Sequence, residues 1–219
     1  MRKLVLTALA AAGVTAVATP AFAQSANGPF DGFRVGAVAG WDGLRPGRGP
    51  GSSISDGNGA DGFLYGADLG YDHQMGKLVV GAEGEVDGST AKATNDPADV
   101  NALGYGRVKS GRDLYIGGRI GYTVAPTTML YAKAGYTNAR LDLTASDGTT
   151  ETGDHYNLDG YRLGVGVEQA IGTNAYAKLE YRYSNYGDAR LEYPNGTNTS
   201  NFDVDTDRHQ VVAGVGFRF

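Results

Sequence analysis

Cysteine is absent from this chain of 219 residues, so disulfide bonds do not hold its fold together. Lys and Arg (19) are fewer than Asp and Glu (24), and the net charge of −5 gives no global attraction to nucleic acid. After the N-terminal segment, no stretch approaches the roughly 20 consecutive apolar residues that a transmembrane helix needs. These shortages argue against a disulfide scaffold, a nucleic-acid binder and a helical membrane protein.

Residues that could carry catalysis are also scarce. The chain contains three histidines, at His73, His155 and His209. None has a serine at the spacing of a barrel lipid deacylase, and no paired Asp and His marks an omptin-like protease. A general base without a positioned nucleophile is not a catalytic site. The interpretation of His209 is a loop-rim cluster with its acidic neighbours and Arg208. We therefore expect no enzymatic activity and no cofactor.

One acidic run resembles the start of a calcium-binding loop. Asp203, Asp205 and Asp207 occupy alternate positions, as the first carboxylates of such a loop do. The following glycine and the distal glutamate of the EF-hand pattern are missing. A solvated acidic loop is the simpler interpretation, so no metal site is predicted and weak cation binding stays open. The Gly- and Ser-rich segment 47–62 has no lysine and does not match a phosphate-binding loop.

The N-terminus has the pattern of a secretory signal peptide. Arg2 and Lys3 precede an apolar run over 4–17, and the small-residue pattern Ala21-Phe22-Ala23 follows. An N-terminal membrane anchor is the alternative, but the apolar run is short for a spanning helix. We predict a signal peptide over residues 1–23, export by the general secretory pathway and one barrel domain over residues 24–219. The net charge of that domain is −7, from 17 basic and 24 acidic residues.

Hydrophobic periodicity predicts β-strands. The 35 glycines and 14 tyrosines disfavour helix and favour strand. Apolar residues alternate with small or charged ones, which is a strand pattern rather than a helix pattern. In the first segment Phe33, Val35 and Trp41 lie on one face, and Arg34 and Gly36 on the other. The eight segments with this pattern are 33–41, 63–72, 78–87, 114–122, 130–137, 160–168, 175–183 and 208–219.

The connections between these segments alternate between short and long. Short turns are predicted at Met75-Gly76, Ala125-Pro126 and Gly172-Thr173-Asn174. Long loops are predicted over 43–61, 88–110, 142–157 and 187–206, because these stretches are rich in Gly, Asp, Asn, Ser and Thr. Outer-membrane barrels have short periplasmic turns and longer extracellular loops. The predicted fold is therefore all-β: a single eight-stranded antiparallel transmembrane β-barrel with short periplasmic turns and four long extracellular loops.

The composition of the two faces predicts which one contacts lipid. A soluble β-sandwich would place the apolar face inside, and this alternative fits the alternation too. The polar face, however, consists largely of glycine and of charges of both signs, which suits the narrow interior of an eight-stranded barrel. We predict a paired, interior ion network, since isolated buried charges are costly. Its members are Arg34, Asp68, Glu83, Glu85, Asp87, Arg119, Lys133, Arg162, Glu168, Lys178, Glu180, Arg182, Arg208 and Arg218.

Aromatic residues near the strand ends of the apolar face fit the girdles that outer-membrane barrels carry at both interfaces. Strand propensity alone would also enrich tyrosine there. The aromatic residues concerned are Tyr71, Tyr122, Tyr181, Tyr183, Phe217 and Phe219.

The order of several short stretches resembles the small outer-membrane β-barrel (porin-family) proteins of proteobacteria, in particular the 25/31 kDa surface antigens of alphaproteobacteria. The stretches are 80–85 (VGAEGE), 118–122 (GRIGY), 179–183 (LEYRY) and 213–219 (AGVGFRF). The resemblance covers the whole mature chain and implies location in the outer membrane. It also implies that Phe217 and Phe219 form the signal that the barrel-assembly machinery reads.

Two functions remain open at this point. The first is a structural and surface barrel that contributes to envelope integrity and interacts through its loops. The second is a narrow porin for ions or very small solutes. The crowded, charge-paired interior favours the first, because aqueous channels occur in barrels of 16–18 strands. A lipid-modifying enzyme is a remote third. The expected partners are outer-membrane lipids, periplasmic chaperones, the assembly machinery and unknown extracellular ligands, and no nucleic acid.

Overall fold

The computed structural model describes residues 28–46, 60–94, 106–146, 151–192 and 202–219. Every regular element in these ranges is a β-strand. The strands are β1 (Gly32–Pro46), β2 (Ala60–Met75), β3 (Leu78–Ser89), β4 (Lys92–Thr94), β5 (Gly106–Ala125), β6 (Thr128–Ser146), β7 (Glu151–Ile171), β8 (Ala175–Glu192) and β9 (Phe202–Arg218). Within the same ranges, no helix is long and apolar enough to cross a membrane. The predicted signal peptide, residues 1–23, lies outside the described residues.

The strands form one closed antiparallel sheet. Neighbours follow the order β3-β2-β1-β9-β8-β7-β6-β5, and β3 pairs with β5 to close the ring. The short β4 pairs only with the first residues of β5, so eight long strands make the barrel. Closure leaves these long strands no free edge. The predicted fold class, an eight-stranded antiparallel barrel, is confirmed.

The barrel has two different ends. At the turn end, short turns over 76–77, 126–127 and 172–174 join consecutive strands, as predicted. The first and last described residues, Gly28 and Phe219, are also at this end. Backbone bonds between Phe33 and Phe219, at 3.2 and 2.8 Å, close the seam between β1 and the chain end. The opposite end, called the loop end below, carries the longer connections.

The strands at the loop end are longer than the sequence pattern predicts. Of the four stretches predicted to be loops, residues 142–146 and 151–157 of the third are strand, and the stretches over 43–61, 88–110 and 187–206 also contain strand. Register shifts occur between Ser110 and Asp113, between Asp159 and Gly160, and between Tyr186 and Asp188. A β-bulge inserts an extra residue and breaks a period of two. On β5 and β8 the alternation therefore changes phase at these bulges, and backbone pairing continues beyond them.

The polarity of the barrel is inverted relative to a soluble sheet. Along β9, Val211, Ala213 and Val215 point outward, whereas Val212 and Gly214 are buried. Large apolar side chains on the outside are between 38% exposed, at Leu78, and 69% exposed, at Ile116. The interior instead holds the buried charges. Only small apolar clusters lie within the described interior, such as the one formed by Val38, Leu64 and Val212.

Close approach of strands inside the barrel leaves no room for a side chain at Gly135. A Cβ at Gly135 would overlap the carbonyl oxygen of Ile116 and lie 2.5 Å from Cα of Gly117. We expect Gly135→Ala to lower the free energy of unfolding by about 1–3 kcal/mol, the usual cost of overpacking. Urea unfolding of the refolded barrel in lipid vesicles, followed by fluorescence of the single tryptophan, Trp41, would measure this.

The matched control is Gly118→Ala on the outer face. There the nearest backbone atom to a new Cβ, the carbonyl oxygen of Gly81, is 3.6 Å away. This distance is ordinary contact, so the control should unfold like the parent protein. Equal unfolding of both variants would contradict the close packing described for the interior.

Candidate functional site: the charged lumen and the outer band

The outer surface carries a continuous apolar band. On β8 the outward residues run from Ala175 through Leu179 to Tyr183, a length that matches the ~9–11 residues with which a tilted strand crosses a bilayer. Phe217 is 59% exposed on the same surface near the turn end. An exposed apolar surface of this extent indicates contact with a membrane rather than with water.

The interior, or lumen, contains an almost balanced set of buried charges. Every residue of the predicted network is buried inside the barrel. The cationic side chains in the described lumen are Arg34, Arg119, Lys133, Arg162, Lys178, Arg182, Arg208 and Arg218. The carboxylates are Asp42, Asp68, Asp72, Glu83, Glu85, Asp87, Asp113, Glu168 and Glu180. These sets hold eight and nine members, so the described lumen has one more carboxylate than cationic groups.

At the turn end, two carboxylates hold three guanidinium groups. Asp72 accepts hydrogen bonds from Arg119 at 2.7 Å, from Arg218 at 2.8 Å and from Arg34 at 3.2 Å. Glu168 accepts from Arg119 at 2.8 Å and from Arg218 at 2.7 Å. Arg119 and Arg218 therefore each bridge both carboxylates. These shared bonds tie β1, β2, β5, β7 and β9 together.

The middle of the lumen is organised around one lysine. The Nζ atom of Lys133 lies 2.9 Å from Glu83, 2.7 Å from Glu85 and 2.8 Å from Glu180. Arg182 donates to Glu85 at 2.9 Å and also to Glu180 at close distance. Three carboxylates can thus share a small volume, because two cations lie between them.

A third group of contacts is centred on Asp68 of β2. Asp68 accepts from Arg34 at 2.7 Å, and its other carboxylate oxygen lies 3.2 Å from Nζ of Lys178. The hydroxyl of Tyr176 also donates to Asp68, at 3.3 Å. Arg34 also donates to Glu83, so this group joins the middle of the network.

At the loop end, arginines again bridge carboxylates. Arg208 donates through Nε and one terminal nitrogen to Asp42, both at 2.7 Å, and through the other terminal nitrogen to Asp113 at 2.7 Å. Arg162 donates to Asp113 at close distance and to Asp87 at 3.4 Å. A two-nitrogen contact to one carboxylate is the strongest geometry that a guanidinium offers.

Tyrosine rings fill space between these charges. Lys133 and Arg162 lie over the ring of Tyr115, at 4.7 and 5.3 Å from its centroid. Tyr131 donates its hydroxyl to Glu180 at 2.6 Å. The rings add cation–π attraction and exclude water from the ion pairs.

The sequence pattern placed three lumen carboxylates outside the predicted network. Asp72 lies on the polar face of the second segment, although the predicted network does not include it. Asp42 and Asp113 lie one residue outside the predicted segments. The sequence does contain a signal for the last two. Asp42 is two positions beyond Gly40, and Asp113 is two positions before Tyr115, so each continues the polar face of its segment. Extending the alternation by one step would have placed both inside.

The sequence pattern did not predict the cap at the turn end, formed by residues Gly28 to Asp31. Phe30 is fully buried and packs with Val79, Met129 and Tyr131 below the ion network. The amide of Phe30 donates to Gln74 at 3.0 Å, and its carbonyl accepts from Arg218 at 2.7 Å. The signal was too weak to detect, because one Phe after Gly-Pro has no periodicity.

The histidines lie apart from one another. His73, half exposed at the turn end, lies 3.1 Å from Asp31. Nδ1 of His209 is 2.7 Å from the hydroxyl of Tyr181. The predicted loop-rim cluster around His209 is not formed with Arg208, because that side chain points into the lumen. The side chains of His155, Asp203 and Asp205 lie outside the described part of the structure.

No group of three or more His, Asp or Glu residues that could hold a metal ion occurs among the described residues.

Two similar hydrogen-bonded groups lie on the outer face toward the loop end. Tyr136 and Asn138 donate to one oxygen of Asp159, the amide at 2.7 Å. Between β8 and β9, Tyr183 at 2.6 Å and Asn185 at 3.1 Å donate to one oxygen of Asp207. In both groups a Tyr and an Asn two positions apart face an Asp on the next strand. The groups fix tyrosine rings at the border of the apolar band nearest the loop end, as expected of an interfacial girdle.

The unequal partners of the lumen carboxylates predict unequal effects of neutralisation. Asp72 is bonded to three arginines, so Asp72→Asn removes one anionic partner from each of three buried guanidinium groups at once. We expect the free energy of unfolding to fall by about 3 kcal/mol, as for other broken buried pairs. Urea unfolding in vesicles would measure it.

The matched variant is Asp87→Asn. One oxygen of Asp87 has no hydrogen-bond partner, and the described lumen holds one surplus carboxylate. Neutralising this residue should therefore cost about 1 kcal/mol or less. A larger loss in Asp87→Asn than in Asp72→Asn would contradict this charge distribution.

Comparison with known proteins agrees with the barrel geometry. A 22 kDa outer membrane protein of Rhizobium leguminosarum bv. viciae is 30% identical over 184 residues, which cover 82% of this chain and 78% of that protein. A 25 kDa outer-membrane immunogenic protein of Brucella melitensis is 29% identical over 159 residues, covering 73% and 67%. Among solved structures, Neisserial surface protein A has a similar fold, with a TM-score of 0.55 at 17% identity, covering 86% of this chain and 98% of that one.

The family model described as the outer membrane protein beta-barrel domain matches residues 9–219. The predicted resemblance and the predicted location are thus confirmed. The chain belongs to the outer membrane protein β-barrel family and is a protein of the bacterial outer membrane.

Proposed function

We propose that this protein is a closed structural barrel that contributes to envelope integrity and interacts with its surroundings through its extracellular loops, without catalysing a reaction. The observation that carries the proposal is the filled lumen. A barrel whose interior consists of paired charges has no room for a substrate and no continuous water path.

Ion pairs that cross the full width of the ring support this closure. Arg182 on β8 contacts Glu85 on β3, four strands away in either direction around the ring. Arg208 on β9 contacts Asp113 on β5, which is also four strands away. Side chains that meet from opposite walls obstruct the lumen at two heights. The narrow-porin alternative is therefore not favoured.

The proposed surface role rests on the relatives and on the shape of the barrel. The relatives from Brucella are named outer-membrane immunogenic proteins. We extend a surface role to this chain, whose longer connections lie at the extracellular end. Outer-membrane lipids are the proposed partners of the apolar band, and ligands of the loops are proposed without a stated identity.

Assembly partners form the third part of the proposal. Phe217 points to the lipid side, and Phe219 pairs with Phe33 at the seam. We propose that periplasmic chaperones deliver the chain and that the barrel-assembly machinery reads these two aromatic residues.

Planar-bilayer recording tests the closure. We expect no sustained conductance steps from the refolded parent protein, because two layers of ion pairs cross the lumen. A variant that combines Phe30→Ala, Glu180→Ala, Arg182→Ala and Arg208→Ala removes the cap residue and the side chains that cross the lumen in both layers, and it should conduct. Regular steps from the parent protein would support the porin alternative instead.

A deletion strain tests the structural role. Cells without the gene should become more sensitive to detergent, and the parent gene should restore resistance. The Phe219→Ala variant should restore less, since less folded barrel would reach the membrane; the heat-modifiable fraction on a gel measures that amount. Phe33→Ala, another outward aromatic residue at the seam, is the control and should assemble like the parent. Unchanged sensitivity on deletion would contradict the envelope role.

A further inference from the structure

The cap at the turn end differs from the barrel wall in how it is held. From Gly32 onward the chain takes part in the backbone ladder of the sheet. The cap is held mainly by side chains: Gln74 accepts from the amide of Phe30, and Arg218 donates to the carbonyl of Phe30. The carboxylate of Asp31 accepts a hydrogen bond from the backbone amide of Gln74 at 2.8 Å. Such contacts can be lost without breaking any strand pairing.

Two glycines with positive φ border the cap. Gly28 has φ of 134° and Gly32 has φ of 112°, values that other residues adopt only with strain. Gly32 separates the cap from the first residue of the seam. At Gly28, a Cβ would overlap the side chain of Gln74, so the cap also fits closely against β2. The segment thus begins at one glycine with positive φ, is followed directly by another, and fits closely against β2 between them.

The cap covers the lowest layer of the lumen. Phe30 fills an apolar recess formed by Val79 and Met129, both fully buried, with Tyr131 above them. Tyr131 in turn donates to Glu180 of the ion network. If Phe30 left the recess, periplasmic water would reach these residues first.

We propose that residues Gly28 to Asp31 form a hinged plug of the periplasmic mouth, which opens as a unit while the barrel wall stays folded. Arg218 couples the plug to the wall, because the same guanidinium binds the carbonyl of Phe30, Asp72 and Glu168. When the plug opens, Arg218 keeps both carboxylates and loses only the carbonyl. The wall therefore retains its ion pairs in both states.

Cysteine accessibility tests the plug directly, since the chain has no cysteine of its own. Met129→Cys places a thiol behind Phe30. Its reaction with a water-soluble maleimide is measured on the full-length barrel refolded in detergent. We expect the rate to rise at least about tenfold when Phe30→Ala is added, because the recess then opens to water. Gln74→Ala, which removes the acceptor for the amide of Phe30, should raise it by a smaller factor.

Two controls separate plug opening from general loosening. Lys77→Cys lies in an exposed turn and should react at the same rate with and without Phe30→Ala. Tyr115→Cys lies deep in the lumen and should stay unreactive in both backgrounds. The heat-dependent gel shift confirms that each variant is folded, and Val79→Cys replaces Met129→Cys if the latter does not fold.

Equal rates for Met129→Cys with and without Phe30→Ala would overturn the proposal, since Phe30 would then not be the barrier. A rise at Tyr115→Cys as large as that at Met129→Cys would also overturn it, because the wall itself would have loosened. A rise confined to the recess with both Phe30→Ala and Gln74→Ala supports the hinged plug, because Gln74→Ala keeps the Phe30 ring and removes only its attachment. No rise with Gln74→Ala would overturn it.

Discussion

The structure depends on the pairing of buried charges inside a narrow, closed ring. Each ionised side chain in the lumen would be strongly destabilising alone, because the surrounding wall and lipid provide no water to solvate it. Arginines that bridge two carboxylates, such as Arg119 and Arg208, satisfy several oxygens at once. The interior is therefore held together by mutual compensation among charges rather than by apolar packing.

Other features follow from this interior. An eight-stranded ring has a lumen that side chains just fill, so long charged residues need small neighbours, and glycine occupies many inward positions. The outside must then supply the apolar surface, as lipid requires. The two Tyr, Asn and Asp groups at the border nearest the loop end close off the apolar band with satisfied polar groups. The cap at the turn end closes the remaining opening with one aromatic side chain.

Much of this arrangement was predictable from alternation. Arg34, Glu85 and Arg182 lie at the alternate positions that form the polar face of their strands, and the structure buries each of them in the lumen. The prediction is wrong where a bulge changes which alternate residues face the lumen. The bulges near Asp113 and Tyr186 end the period of two, so the strands beyond them are predicted as loops. The prediction also fails for Phe30, whose role depends on the residues that surround it in space.

Local periodicity and turn chemistry are sufficient to predict the number of strands, the inverted polarity of the two faces and the positions of the short turns. The pairing of the charges depends on the closed ring, since partners such as Arg182 and Glu85 are far apart in the chain and meet across the lumen. The tertiary structure also decides how far the strands extend, because backbone pairing between neighbours continues without any side-chain pattern. Ring closure brings these distant groups together, and the pattern of a single strand does not specify which groups then meet.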